Sequence, residues 1–136
     1  MHVITKEFSF EASHALRHLP DGHKCKNNHG HSYRVRVVLA SDVLDENGFV
    51  VDFGDLDVVK SYIDQRLDHH YLNDVFGDPR LTTSENLAQH FFHKCFSLGL
   101  PVIAAGVSET AKTWAWYSLS QTFALLAHQG ANHGDS

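Results

Sequence analysis

The chain has 136 residues, of which 43% are hydrophobic and 20% charged, a length and balance that support one globular domain with a core but not two. The formal net charge of −5 argues against general nucleic-acid binding, which needs a basic face, and no apolar run reaches the roughly 18 residues of a membrane span, so neither partner is expected. The two cysteines cannot make a disulfide framework and the first residues lack a basic stretch followed by an apolar one, so reduced thiols in a cytoplasmic protein are expected.

In chain order, Val3 to Ala12 alternates loosely and is rich in β-branched and aromatic residues, which predicts a strand. Arg17 to Asn28 is polar, contains Pro20-Asp21-Gly22 and reads as a loop. Residues 31–41 give the clearest strand. Asp45 to Gly48 is a turn with Gly48 available for positive φ, and Phe49 to Phe53 continues as a short extended piece. The period then changes. Leu56, Val59, Ile63 and Leu67 recur at three and four residues, an amphipathic helix that Asp55 caps. Asn73 to Thr82 is a second loop, with Gly77 and Pro79. Thr83 or Ser84 caps a second helix with Leu87, Phe91, Phe92, Cys95 and Phe96 as its buried stripe, and Gly99 and Pro101 stop it. Val102 to Glu109 predicts a strand and Thr113 to Tyr117 its hairpin partner. The order β-β-α-α-β-β gives an α+β fold with one antiparallel sheet carrying two helices on one face. Residues 1–118 form the single domain and 119–136 a C-terminal extension, with a further helix considered over Ser118 to Gln129 and disorder expected from Gly130 to Ser136. Four strands leave two sheet edges unpaired, which a closed oligomer would remove.

Histidine is the outlier of the composition, at 12 residues. His2, His18, His23, His128 and His133 are assigned to the surface. His29-Gly30-His31 opens the clearest strand, and residues two apart on a strand face the same side, about 7 Å apart along the chain. His14 lies just past the preceding alternating run, and a hairpin between the two runs brings it to the same spot. Three imidazoles without an obvious fourth protein ligand are the pattern of a catalytic zinc with one open position. Cys25, four residues before His29, has two readings: the fourth ligand of a closed structural site, or a thiolate favoured by Lys24 and Lys26 that does acid–base work beside an open metal.

Asp68 and His69 follow the first helix directly. They read either as a proton relay, the carboxylate orienting the imidazole, or as a polar helix end where the dipole favours histidine. His70 is the lesser candidate. Glu109, at the end of a buried strand, could accept two parallel N–H donors from a planar heterocycle or make a salt bridge. Glu85 is most simply a first-turn acid, His90 and His93 a surface face, and Cys95 core.

Taken together, Phe10-Glu-Ala-Ser-His14, Cys25-Lys-Asn-Asn-His29-Gly-His31, Gly48-Phe-Val-Val-Asp-Phe53, Leu67-Asp-His69 with Leu72-Asn73, Thr83-Ser-Glu-Asn-Leu87, and Glu109-Thr110 with Tyr117 resemble the 6-pyruvoyl-tetrahydropterin synthase family. Its bacterial branch is 6-carboxy-tetrahydropterin synthase of queuosine biosynthesis. The resemblance runs in order from about residue 3 to residue 118. It implies the tunnelling fold, with sheets of three subunits closing into a barrel, two rings stacking into a homohexamer, and active sites at subunit boundaries. By the same resemblance His14, His29 and His31 hold Zn2+. Cys25 is the catalytic thiol, Asp68 and His69 its relay, Glu109 the pterin anchor, and Thr83, Ser84 and Glu85 pocket walls. The implied substrate is the small molecule 7,8-dihydroneopterin triphosphate. The carboxy branch cuts its side chain to release acetaldehyde and triphosphate; the pyruvoyl branch releases triphosphate alone. Arg17, Lys24 and Lys26 are candidates for attracting the triphosphate, or simply surface charge. Asp52-Phe53 resembles the bacterial branch. A non-catalytic zinc- or pterin-binding protein and a simple zinc hydrolase are the rivals from other classes.

Overall fold

A computed structural model of the chain describes residues 1–119. The segment 120–136, with most of the helix considered over 118–129 and the tail expected to be disordered, lies outside the described residues. Two long strands, β1 (His2–His14) and β2 (His29–Ser41), pair antiparallel rung for rung from His2 opposite Ser41 to His14 opposite His29. The alternating pattern decides which face is buried. Phe8, Phe10 and Ala12 on β1 and Tyr33, Val35, Val37 and Leu39 on β2 point into the core, while Glu7, Ser9 and Glu11 face out.

After β2 the chain makes the expected turn. The Gly48 N–H bonds to the Asp45 carbonyl at 3.0 Å, and Gly48 takes φ of 87°, which a side chain would resist. Residues 49–53, expected as a short extended piece, join no ladder; Asp52 is extended, and Phe53 already begins a turn. Instead Asp52 accepts from the Gly54 N–H and caps a 3-10 turn over Phe53–Leu56. That turn leads into helix α1 (Asp57–Arg66), whose N-cap Leu56 has no side-chain cap; Asp55 does not cap it, because the preceding turn already orders the entry. Leu56, Val59, Ile63 and Leu67 are all buried, as their spacing predicted, each contributing roughly 1.5–3 kcal/mol by leaving water.

Strand β3 (His70–Tyr71) and helix α2 (Leu72–Phe76) follow, so the segment expected as a loop from Asn73 to Thr82 opens with a further short helix and closes with a 3-10 turn over Pro79–Thr82. Next comes helix α3 (Ser84–Ser97), with Thr83 as cap accepting from the Asn86 N–H. Its buried stripe is Leu87, Phe91, Phe92 and Cys95 as expected, but Phe96 is 67% exposed, one step off the stripe. Gly99, at φ of 81°, ends that helix. Strands β4 (Val102–Ser108) and β5 (Ala115–Ser118) form the last hairpin, β4 lying against β2.

The fold is α+β, and one sheet feature departs from the expected pattern. Among the described residues the sheet has five strands in the order β3-β1-β2-β4-β5, and β3 runs parallel to β1, so the sheet is mixed rather than antiparallel. A two-residue strand is too short to leave a periodic trace in the sequence. No helix among the described residues is long and apolar enough to cross a membrane.

Candidate metal centre and active site

The three histidines occupy the last rungs of the core-facing side of the β1–β2 hairpin. His14 and His29 are direct partners in the ladder, and His31 follows His29 by two residues on the same face. Their rings sit 4.5, 4.8 and 5.1 Å apart, centroid to centroid, and one ligand atom from each lies within 4.8 Å of the others. Cys25 is not part of this set, so the structure does not bring it in as a fourth ligand.

Two carbonyls orient the rings. His14 Nδ1–H donates to the Thr82 carbonyl at 2.9 Å, and His29 Nδ1–H to the Asn27 carbonyl at 2.6 Å. Each bond commits Nδ1 to the proton and leaves the Nε2 lone pair for a metal, the usual outer support of imidazole ligands. His14 Nε2 and His31 Nε2 face each other at 3.2 Å. Two imidazole ligands about 2.05 Å from one tetrahedral ion stand about 3.3 Å apart, so this spacing fits a shared ion. Burial holds both His14 and His31 below the usual histidine range, against the pull of the Glu109 charge, which keeps them as the neutral rings a metal requires.

Glu109, just past β4, brings its carboxylate within 3.9 Å of His14 Nε2 and 3.6 Å of His31 Nε2. Two ring nitrogens and a carboxylate converging on one point are reconciled by a hydrogen on His31 Nε2 or by a metal ion between them. The donor set suits a divalent ion, with Glu109 beside the imidazoles.

The other predicted residues fall around this centre. Cys25 sits in a 3-10 turn (Lys24–Lys26) of the loop joining the two strands, half-buried, with its carbonyl accepting from the Leu16 N–H at 2.9 Å. Lys26, expected to polarise the thiol, pairs with Asp21. Asp68 and His69 do form a pair, Asp68 Oδ2 to His69 Nδ1 at 2.9 Å. Asp68 Oδ1 accepts from the Glu11 N–H, and this bond, foremost, holds the carboxyl below its usual range. His69 is 79% exposed and takes φ of 60°, a left-handed conformation uncommon outside glycine, with its own N–H on the Glu11 carbonyl. A cleft of about 600 Å3 is lined by both His31 and His69. No hydrogen bond or ion pair joins Cys25 to the Asp68–His69 pair among the described residues. Thr83, Ser84 and Glu85 open α3 directly after Thr82, whose carbonyl holds His14.

Sequence reasoning missed several supporting groups: Thr82, the Asn27 carbonyl and Asn73, whose amide holds the backbone of Ala15. It also misplaced His90. That ring is half-buried rather than on a surface face, accepting from the Tyr62 hydroxyl and packed on Phe76, and burial lowers it to about 4.

Residues 3–120 match the family model described as 6-pyruvoyl tetrahydropterin synthase. A relative from Synechocystis named 6-carboxy-5,6,7,8-tetrahydropterin synthase is 44% identical over 135 residues, covering 93% of this chain and 100% of its own. A relative of the same name from Haemophilus influenzae is 34% identical, over 69% of this chain and 82% of its own. Among solved structures, the 6-pyruvoyl tetrahydropterin synthase of Caenorhabditis elegans superposes with a TM-score of 0.72 at 30% identity, covering 88% of this chain and 98% of that one.

Proposed function

The chain belongs to the 6-pyruvoyl tetrahydropterin synthase family, and from that premise we propose that it converts 7,8-dihydroneopterin triphosphate and one water to 6-carboxy-5,6,7,8-tetrahydropterin, releasing acetaldehyde and triphosphate, in queuosine-type deazapurine biosynthesis. The observation that carries this reading is the histidine centre, with Nδ1 of His14 and of His29 committed to carbonyls so that Nε2 is left for an ion. His14, His29 and His31 would hold Zn2+. The ion would supply Lewis acidity toward the side-chain hydroxyls of the substrate, easing proton loss at the adjacent carbon.

The chain's own residues do the rest. The Cys25 thiol and the His69 imidazole move those protons, with Asp68 Oδ2 holding His69 Nδ1 so that His69 Nε2 is the working atom. Glu109 accepts the paired N–H donors of the pterin ring, leaving its place beside the imidazoles to do so. Thr83, Ser84 and Glu85 wall the pocket at the N-terminus of α3.

A cytoplasmic homo-oligomer, a trimer or a dimer of trimers with sites at subunit boundaries, is part of the same proposal. Its support is threefold. The outer edge of β1 over residues 2–10 pairs with no further strand among the described residues. His69 is largely exposed, and within one chain it has no bond to Cys25.

The test is incubation of the zinc-loaded protein with dihydroneopterin triphosphate, followed by mass analysis of the pterin and detection of acetaldehyde. A carboxypterin with acetaldehyde supports the proposal. The solved relative from Caenorhabditis elegans favours the second reading, 6-pyruvoyl-tetrahydropterin synthase, for which a pyruvoyl pterin without acetaldehyde is the signature. A Cys25→Ala variant that turns over as fast as the parent refutes the thiol's role.

A further inference from the structure

Strand β1 stops pairing with β2 at His14, so the next residue, Ala15, has left the ladder. Ala15 is fully buried, and its N–H and C=O must both find partners. Both are taken by one side chain. Asn73 Oδ1 accepts from the Ala15 N–H at 2.9 Å, and Asn73 Nδ2 donates to the Ala15 carbonyl at 2.8 Å. A carboxamide offers a donor and an acceptor side by side in this way, and an ionised carboxylate does not. The amide thus replaces the rung that a neighbouring strand would have given.

Asn73 ends a longer strap. Asp68 and His69 take the N–H and C=O of Glu11, and β3 pairs with Ala12 and Ser13. The segment 68–73 therefore grips β1 on both sides of His14, while the His14 ring is held from a third direction by the Thr82 carbonyl.

We propose that Asn73 is a positioning residue of the metal centre: its clamp on Ala15 fixes the end of β1 and so sets where the His14 imidazole meets those of His29 and His31. This rests on reading the three histidines as a metal centre. Without the clamp the strand end after Ser13 frays, and ordering the His14 ring must be done at the moment of ion binding. Outer partners of metal ligands change affinity by about 10- to 100-fold, and that range is expected here.

The experiment titrates the metal-free full chain with Co2+, reading affinity and the ligand-field spectrum, for the parent, Asn73→Ala, Asn73→Asp and Val59→Ala. Asn73→Asp keeps the acceptor for the Ala15 N–H, and in place of the donor sets a charged carboxylate oxygen against the Ala15 carbonyl. Val59→Ala destabilises the core away from the site. The expected result is Co2+ binding at least about tenfold weaker, with an altered spectrum, in both Asn73 variants, and parent affinity in Val59→Ala. Parent affinity in either folded Asn73 variant overturns the proposal, as does failure of both to fold, which would make Asn73 a folding residue only. A parent that binds no divalent ion refutes the metal centre itself, a different failure that is visible before any variant is made.

Discussion

Replacing His14 and His31 in turn by alanine separates burial from ligation. His14 is 1% exposed and its Nδ1–H satisfies the Thr82 carbonyl. His14→Ala orphans that buried carbonyl, at about 1–3 kcal/mol, and empties the space of a ring, adding about 1 kcal/mol, so the metal-free protein should lose about 2–4 kcal/mol. The His31 side chain is 17% exposed, and its Nε2 meets His14 Nε2 at 3.2 Å and the Glu109 carboxylate at 3.6 Å, with no backbone group depending on it. His31→Ala should therefore cost less than about 1 kcal/mol without metal. Ion binding ranks differently, since each variant removes one of three nitrogens. Free Zn2+ at 100 times the parent Kd should stabilise the parent by about 2.7 kcal/mol and neither variant. Urea unfolding with and without a chelator gives both numbers. Equal destabilisation by the two variants in chelator would refute the burial argument, and parent-like stabilisation of either by Zn2+ would refute its place in the centre.

Burial pushes the Cys95 thiol up to about 12, whereas Cys25 is half-buried in a loop. An aromatic disulfide at pH 8 should accordingly titrate one thiol in the folded protein and two in denaturant, and the Cys25→Ala variant should show none until unfolded. His90 offers a pH test. Its folded value is about 4 against an ordinary 6.5, so the unfolded chain binds this proton first as pH falls. The stability it contributes is complete above pH 6.5 and is lost as the pH drops toward 4, by at most about 3 kcal/mol and less for the water that reaches the ring. His90→Gln should flatten that limb of the urea midpoint against pH, and an unchanged slope would contradict the assignment. At Gly106 an added methyl would stand 2.7 Å from the Trp116 ring, so Gly106→Ala should lower stability by about 1–3 kcal/mol in thermal melts.

What the sequence disclosed follows from range. Strands β1, β2 and β4 and helices α1 and α3 each carry an apolar period long enough to read, and His29 and His31 declare a common face through the two-residue period alone. The pairing of β3 with β1 was hidden because it spans two residues and joins segments far apart in the chain. The supports of His14 were hidden for the same reason: Thr82 and Asn73 act on residues 68 and 58 positions away, and Thr82 acts through its backbone, to which sequence is nearly blind. Asp68 and His69 were legible as neighbours, yet the use of Asp68 as a partner for the Glu11 N–H was not.

The hairpin register serves the core and the metal centre at once. The same alternation that buries Phe8, Phe10 and Ala12 turns His14 toward His29, its partner across the ladder. One residue inserted between Ala12 and Ser13 leaves the core rungs in place and moves the histidine to the opposite face, because the side-chain period is two. That variant should fold, with most of its apolar face intact, and lose tight Co2+ binding. A residue inserted in the exposed turn beside Gly22, outside the ladder, should leave both unchanged, since surface loops absorb added length at little cost. Circular dichroism and Co2+ titration of the two insertions decide it. Retained binding in the strand insertion would mean that loops, not the β1–β2 register, bring the imidazoles together.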